Sequence, residues 1–302
     1  MGLGAGVKIP RGEKQSAALS SVLAAVLLTA FKLIVGLMTN SLGILAEATH
    51  SGLDLVAAVV TLVAVNVSAR PPDLGHHYGH GKVENLSALF ETLLLLVTCA
   101  WIIYESIQRL VFRSVQVDAS IWAFVVMLVS VIIDYSRSGV LSRTAKKFKS
   151  QALEADALHF RTDIWSSSVV ILGLILVRLG GYLPGFHLTT QADSVAALTV
   201  AGIVIYVSIR LGRSTIHGIL DNAPAGLREK VRQTVQSIPG VYDCHDIRVR
   251  TAGATLFVDM HVLLDSKQSL GEAHRLTGQI EAAVRRVAPE ADVTVHAEPT
   301  QK

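Results

Sequence analysis

The segment Ala46–Leu55 reads AEATHSGLDL and the segment Ala155–Ile164 reads ADALHFRTDI, so an acid-Ala-x-His-x-x-x-Asp pattern occurs twice in the chain. On a helix of about 3.6 residues per turn, Glu47, His50 and Asp54 fall on one stripe, and Asp156, His159 and Asp163 on another. Each helix would then aim an imidazole and a carboxylate at the same neighbour. Two histidine nitrogens and two aspartate oxygens make a four-donor set of intermediate softness. The set suits tetrahedral Zn²⁺, whereas Mg²⁺ and Ca²⁺ require oxygen throughout. The rival reading, in which each His only braces its own Asp, does not call for the same costly pair twice. Glu47 and Asp156 are secondary candidates on the same stripes.

The elements that must carry these residues are apolar. Of 302 residues, 51% are hydrophobic and 17% charged, and the mean hydropathy is +0.47. Such a balance indicates a membrane protein and argues against a soluble enzyme domain. The net charge of +3 is too mild, and the basic residues too dispersed, for a nucleic-acid partner. Six stretches, roughly 16–38, 42–67, 86–110, 117–138, 157–180 and 192–212, reach the length of about 20 apolar residues that a spanning helix needs. Ionisable groups at mid-bilayer cost several kcal/mol and normally face a bundle interior or an aqueous path. By residue count from the outer face His50 lies shallower than His159, so span ends or tilts must differ from these simple boundaries.

After about residue 221 charges return, and helical periodicity alternates with period-two strands in the order α-β-β-α-β. The expected fold class is therefore a membrane all-α six-helix bundle plus a C-terminal α+β domain. The expected organisation is a segment 1–15, a transmembrane domain 16–220 and a soluble domain 221–302. Lys and Arg set the orientation. With the N-terminus inside, Lys8, Arg11, Lys14, Arg70, Lys82, Arg137, Arg143, Lys146, Lys147, Lys149, Arg210 and Arg213 fall on the cytoplasmic side, and only Arg109, Arg113 and Arg178 outside. Cys99 and Cys244 are too few and too separated for a disulfide framework. The start MGLGAGVKIPRGEK lacks the apolar core of a cleavable signal peptide, and Gly6 stands where a myristoylation motif wants Ser or Thr.

From about Ser16 to Pro299 the chain resembles the cation diffusion facilitator family of divalent-metal transporters. The resemblance rests on SLGILAEATHSGLDL, RPPDLGHHYGHGKVENLSAL and EADALHFRTDIWSSS, and in the tail on HDIRVRTAGATLFVDMHV, SLGEAH and VTVHAEP. It implies six spans, cytoplasmic termini, a homodimer in the lipid membrane of a bacterial cell, and a cytoplasmic domain of metallochaperone-like, ferredoxin-like fold. By position, His50, Asp54, His159 and Asp163 correspond to the transport site. Some bacterial members carry Asp where this chain has His50, and the His version is similar to zinc-preferring branches. Zn²⁺ is thus the expected substrate, Fe²⁺, Cd²⁺ or Co²⁺ the alternatives, and Mn²⁺ the least expected.

The same resemblance points to a loop site of Asp73, His76 and His80, with His77 as a substitute. It pairs Lys82 with Asp221, and places a zinc site at a dimer contact formed by His245, His261, His274, His296 and Glu298. Cys244 and Asp246 are near enough in sequence to serve as spare ligands there. His187 and His217 match nothing and read as structural, and Lys32 and Glu91 are intramembrane charges without an assigned metal role.

Zinc needs neutral imidazole and ionised carboxylate, so a loaded quartet competes with protons. The expectation is proton-coupled metal efflux, not an enzyme. A membrane metalloprotease would need HExxH with a general-base Glu, and the chain has none. A non-transporting metal sensor or scaffold with the same fold is the remaining rival.

Overall fold

The computed structural model describes residues 11–111, 121–180, 189–289 and 291–300. They form two compact units, one of Pro10–Ala69 with Val83–Thr215, the other of Arg70–Lys82 with the chain from Ile216. Lys8, Arg113 and His187 lie outside the described residues, as do the side chains of Arg109 and Arg178.

The first unit is built from α1 (Arg11–Thr39), α2 (Leu42–Ser68), α3 (Lys82–Val111), α4 (Ile121–Phe148), α5 (Gln151–Gly180) and α6 (Thr189–Ile219). Helices α1, α2, α4 and α5 pack against one another. Among the described residues, five of the six helices are long and apolar enough to cross a membrane, α5 not being one of them. Glu154, Asp156, Arg161 and Asp163 occupy the first half of α5.

Many large apolar side chains of the bundle face outward, and small or polar residues are frequent inside, alongside buried Phe160, Leu95, Leu141 and Leu153. Leu23, Leu27 and Ile34 of α1, Val56 and Val63 of α2, and Leu93 and Val97 of α3 are exposed, whereas Ala18, Ser21, Ala25, Ala57, Ala58, Ala88, Ala152 and Ala155 are buried. In lipid, tails are as apolar as leucine, so helices associate through small residues that allow close approach and through polar pairing. Gly36 illustrates the fit, because a Cβ there would lie 3.2 Å from the Leu45 amide nitrogen across the α1–α2 turn. That turn is made by Asn40 in the left-handed region (φ 51°) and by Ser41, whose side chain caps α2.

Several helices run past the apolar stretches read from sequence. Helix α4 continues to Phe148 instead of stopping near 138, and α5 starts at Gln151 instead of 157. Hydropathy reports the lipid-facing length, but the i to i+4 ladder persists into polar sequence. Arg137, at the end of the apolar stretch 117–138, is buried in α4, donates to Asp134 of its own helix (3.4 Å) and to Ser21 of α1 (3.0 Å), and lies 3.5 Å from the Phe160 ring centroid.

The second unit follows the expected α-β-β-α-β order, with α7 (Leu227–Gln236), β1 (Val241–Ala252), β2 (Thr255–Leu264), α8 (Leu270–Val287) and β3 (Ala291–Pro299). Strand order is β1-β2-β3, antiparallel then parallel. One sheet face, with Ile247, Val249, Val258, Met260, Val262 and Val293, buries against Val231 and Val235 of α7 and Leu276, Ile280 and Val284 of α8. A bulge between His245 and Arg248, with Asp246 at φ 47°, re-phases β1 so that Cys244, Ile247 and Val249 all point inward. Helix α8 opens with a capping box in which Ser269 and Glu272 satisfy each other's amides.

Candidate metal centres

The duplicated stripes of α2 and α5 converge. His159 Nε2 lies 2.9 Å from Asp54 Oδ1 and 3.7 Å from Asp163 Oδ2. His50 Nε2 lies 3.9 Å from Asp54 Oδ1 and 3.8 Å from Asp163 Oδ1. Zinc sits about 2.0–2.2 Å from N and O donors, so ligand atoms of a tetrahedral site are separated by about 3.3–3.5 Å. The four spacings lie within about 0.6 Å of that range; His50, Asp54 and Asp163 form the compact donor group, and His159 joins it through its hydrogen bond to Asp54. His159 is 1% exposed, while the His50 side chain is 37% exposed, so His50 is the open side of the cluster. The depth mismatch read from sequence does not keep the stripes apart, because helix α5 begins earlier than its apolar stretch.

The secondary candidates on those stripes turn elsewhere. Glu47 accepts from Lys32 Nζ at 3.1 Å, and Lys32 also donates to Ser51. Asp156 accepts from Ser21 Oγ at 3.2 Å. Both carboxylates therefore brace the helices next to the quartet.

A second group lies in the segment before α3. Asp73 Oδ1 accepts from the Gly75 and His76 amides at 2.9 and 2.7 Å, an Asx-type turn that fixes the carboxylate. These amides hold its pKa below the ordinary aspartate range, the His76 amide foremost. His76 Nδ1 is 3.2 Å from Oδ1 and His80 Nε2 is 3.3 Å from Oδ2, so the three ligands are gathered in one place. His77 is exposed and outside this group. The segment is anchored within its own unit. Arg250 stacks 3.8 Å from the Tyr78 ring centroid, Tyr78 meets Phe257 edge-on, and a Cβ on Gly81 would strike the Ala252 carbonyl oxygen at 2.3 Å. Lys82 Nζ pairs with Asp221 at 2.9 Å and donates to the Ile219 carbonyl at 3.1 Å near the end of α6. Half-exposed, the Lys82–Asp221 pair is worth below about 1 kcal/mol.

The third group is a row across the sheet. His245 stands opposite His261 in the β1–β2 register, and His261 opposite His296 in the β2–β3 register. Period two places Glu298 on the same face as His296. The Glu298 carboxylate approaches His261 Nδ1 at 2.7 Å, His245 Nε2 at 3.3 Å and His296 Nε2 at 3.8 Å. His274 is not among these side chains, for it is exposed on α8. Cys244 is no spare ligand. It is 2% exposed in the apolar core on the opposite face, where burial pushes its thiol up to about 11. Asp246 sits at the bulge, exposed. His217 Nδ1 lies 3.2 Å from Asn222 Nδ2.

The family profile for a cation-efflux transmembrane domain matches residues 18–220, and that for a cation-efflux protein cytoplasmic domain matches residues 223–300. The chain belongs to the cation-efflux family, the cation diffusion facilitators. Among cation-efflux relatives, the cation-efflux pump FieF of Yersinia enterocolitica is 32% identical over 291 residues, covering 95% of this chain and 93% of that one. FieF of Escherichia coli O1:K1 is 32% identical over 287 residues, 94% of this chain and 92% of that one. A solved structure of CzrB aligns with 26% of this chain and 99% of its own, at 28% identity and a TM-score of 0.25.

Two carboxylates of the cation-efflux bundle to which sequence reading gave no metal role are buried on α3, and Glu91 lies beside the quartet. Glu91 of α3 is 0% exposed, accepts from Thr61 of α2 at 2.9 Å, and approaches His159 Nδ1 at 3.8 Å. Glu84 accepts from Lys14, Ser68 and Ser150, tying α1, α2 and the start of α5 to α3. Neither carboxylate has a spacing partner on its own helix, so the sequence carried no signal beyond a charge in an apolar stretch.

Proposed function

We propose that this cation-efflux protein exports Zn²⁺ from the cytoplasm by alternating access, in exchange for protons, through His50, Asp54, His159 and Asp163. The observation that carries this reading is the convergence of two imidazoles and two carboxylates between α2 and α5 at zinc-like spacings. Charge balance supports the exchange. Two carboxylates and Zn²⁺ are neutral together, whereas two bare carboxylates in a low-dielectric bundle carry a large desolvation cost. A proton on each imidazole restores neutrality once the ion departs, and imidazole ordinarily titrates near ~6.5.

The working unit is a homodimer with both termini in the cytoplasm. The Lys and Arg bias between loops supports that orientation. The row His245, His261, His296 and Glu298, on the sheet face that the helices leave uncovered, supports a zinc-bearing contact between copies, to which His274 is a further candidate. Asp73, His76 and His80 form a cytoplasmic-side site whose donors also suit zinc. Fe²⁺, Cd²⁺ and Co²⁺ remain the alternative cargoes because a mixed N/O site admits them. No bond is made or broken, so the protein is a transporter and not an enzyme.

The test is zinc flux in reconstituted vesicles with a lumenal pH indicator. Zinc transport should move protons in the opposite sense, and an imposed opposing proton gradient should speed it. Flux indifferent to the gradient between about pH 6 and 8, the range bracketing imidazole titration, would contradict proton exchange. A protein that binds zinc without any flux would instead be a sensor or scaffold.

A further inference from the structure

We infer that Glu91 is a positioning residue for the intramembrane cluster, fixing the ring orientation and tautomer of His159 so that Nε2 is free for the metal. The inference rests on the reading of His159 as a ligand and adds a residue from a third helix, α3.

Glu91 and His159 are among the largest fully buried side chains of the chain. His159 directs Nε2 toward Asp54 and Asp163, which leaves Nδ1 on the other side of the ring. There Glu91 Oε2 lies 3.8 Å away. Both atoms are buried, and neither has a hydrogen-bond partner. Two unpartnered buried polar atoms facing each other are costly unless they pair. Closing the gap to a hydrogen bond takes about 1 Å.

The rest of Glu91 is already fixed for this role. Thr61 Oγ1 donates to Oε1 at 2.9 Å, which pins one carboxylate oxygen and presents the other to the imidazole. Thr61 stands on α2, the helix of His50 and Asp54, so the clamp ties α3 to the helix that supplies half of the quartet.

The chemistry follows from the two ring nitrogens. A neutral imidazole carries one N–H, and only the other nitrogen can bind a metal. Nε2 is hydrogen-bonded to Asp54 Oδ1 at 2.9 Å; when an ion takes the place of that proton, an ionised Glu91 carboxylate, which can only accept, selects the Nδ1–H tautomer and leaves the Nε2 lone pair for the ion. Carboxylate partners of this kind raise ligand basicity, and losing one typically costs 10–100-fold in metal affinity.

The experiment measures initial rates of Zn²⁺ uptake into vesicles for the full-length protein, with KM and kcat separated. Glu91→Leu should raise KM about tenfold or more. Glu91→Gln, whose amide oxygen still accepts from Nδ1–H, should stay within about threefold of wild type. An unchanged KM for Glu91→Leu, or a Gln variant as impaired as the Leu variant, overturns the inference. If Glu91→Leu yields no folded protein, Thr61→Val replaces it, since removing the donor at Oε1 should raise KM severalfold, and no rise overturns the inference. Asp163→Ala is run alongside. Loss of flux there with a normal Glu91→Leu would remove only the role of Glu91, whereas normal flux in Asp163→Ala would remove the transport-site reading itself.

Discussion

His159 Nε2 lies 2.9 Å from Asp54 Oδ1, although the two residues belong to different helices, α5 and α2. This contact joins the two copies of the repeated pattern. Each helix supplies one imidazole and one carboxylate, and neither makes a four-donor site alone. Any relative movement of α2 and α5 therefore changes the number of donors available to an ion, which is the property a carrier needs to bind on one side and release on the other.

The exposed side of that cluster should govern selectivity. His50→Asp would give one nitrogen and three oxygens, a harder donor set with an added negative charge. The variant should still carry zinc, gain activity toward Cd²⁺ or Fe²⁺ relative to zinc, and respond less steeply to pH. Initial rates for Zn²⁺, Cd²⁺, Fe²⁺ and Mn²⁺ at two pH values check this. Unchanged metal ratios would mean that His50 does not set selectivity.

Asp73 has two tasks that one substitution separates. Asn at this position keeps an oxygen to accept the Gly75 and His76 amides but loses the charge. Asp73→Asn should leave the turn intact and weaken zinc binding at the loop by at least about tenfold. Calorimetry on the full-length protein, with His261→Ala to silence the sheet face, measures it. Affinity equal to that of the parent would show Asp73 to be a turn residue only.

The sheet face should lose zinc when its shared carboxylate goes. Glu298→Gln or His261→Ala should remove at least one bound zinc per chain, because Glu298 approaches three histidines. Cys244→Ala should leave the count unchanged. Its thiol pKa, pushed up to about 11, keeps the thiolate scarce at neutral pH, so a maleimide should label Cys244 slowly until the domain unfolds. Rapid labelling, or zinc lost in Cys244→Ala, would place the thiol at the metal.

The fold was legible where its period was simple. Apolar runs located the bundle, and alternation in TLFVDMHVLL put His261 on the face opposite Val258, Met260 and Val262. The quartet was legible because His and Asp recur at i and i+4 in both helices. Glu91 was not, since its meaning comes from His159 and Thr61 on other helices, and a lone acid in an apolar run has no spacing to read. The partners of Arg137 were not legible for a related reason, since Ser21 and Phe160, which hold its guanidinium together with Asp134, stand on other helices. Cys244 reads as a spare ligand because it is next to His245 in sequence, but neighbours on a strand alternate, so it faces the core with Val262 while His245 faces His261.

Acid should loosen helix α8. The Ser269 amide and hydroxyl hold the Glu272 pKa below the ordinary glutamate range in the folded state. The resulting stabilisation is full above the unfolded value and fades as pH falls through the folded one. Glu272→Gln should therefore lower the melting temperature near pH 7 and make little difference near pH 3. Thermal unfolding across that range checks it, and equal differences at both ends would remove the capping box from the account.

The most direct measurement of the central claim is zinc flux by Asp54→Ala and Asp163→Ala, reconstituted side by side with the parent protein after each variant is shown to be folded and inserted. Each substitution removes one of the four donors while leaving the loop and sheet-face groups untouched. The account predicts that both variants lose transport and retain zinc bound at the loop and sheet face. Flux near the parent rate from either variant would contradict it.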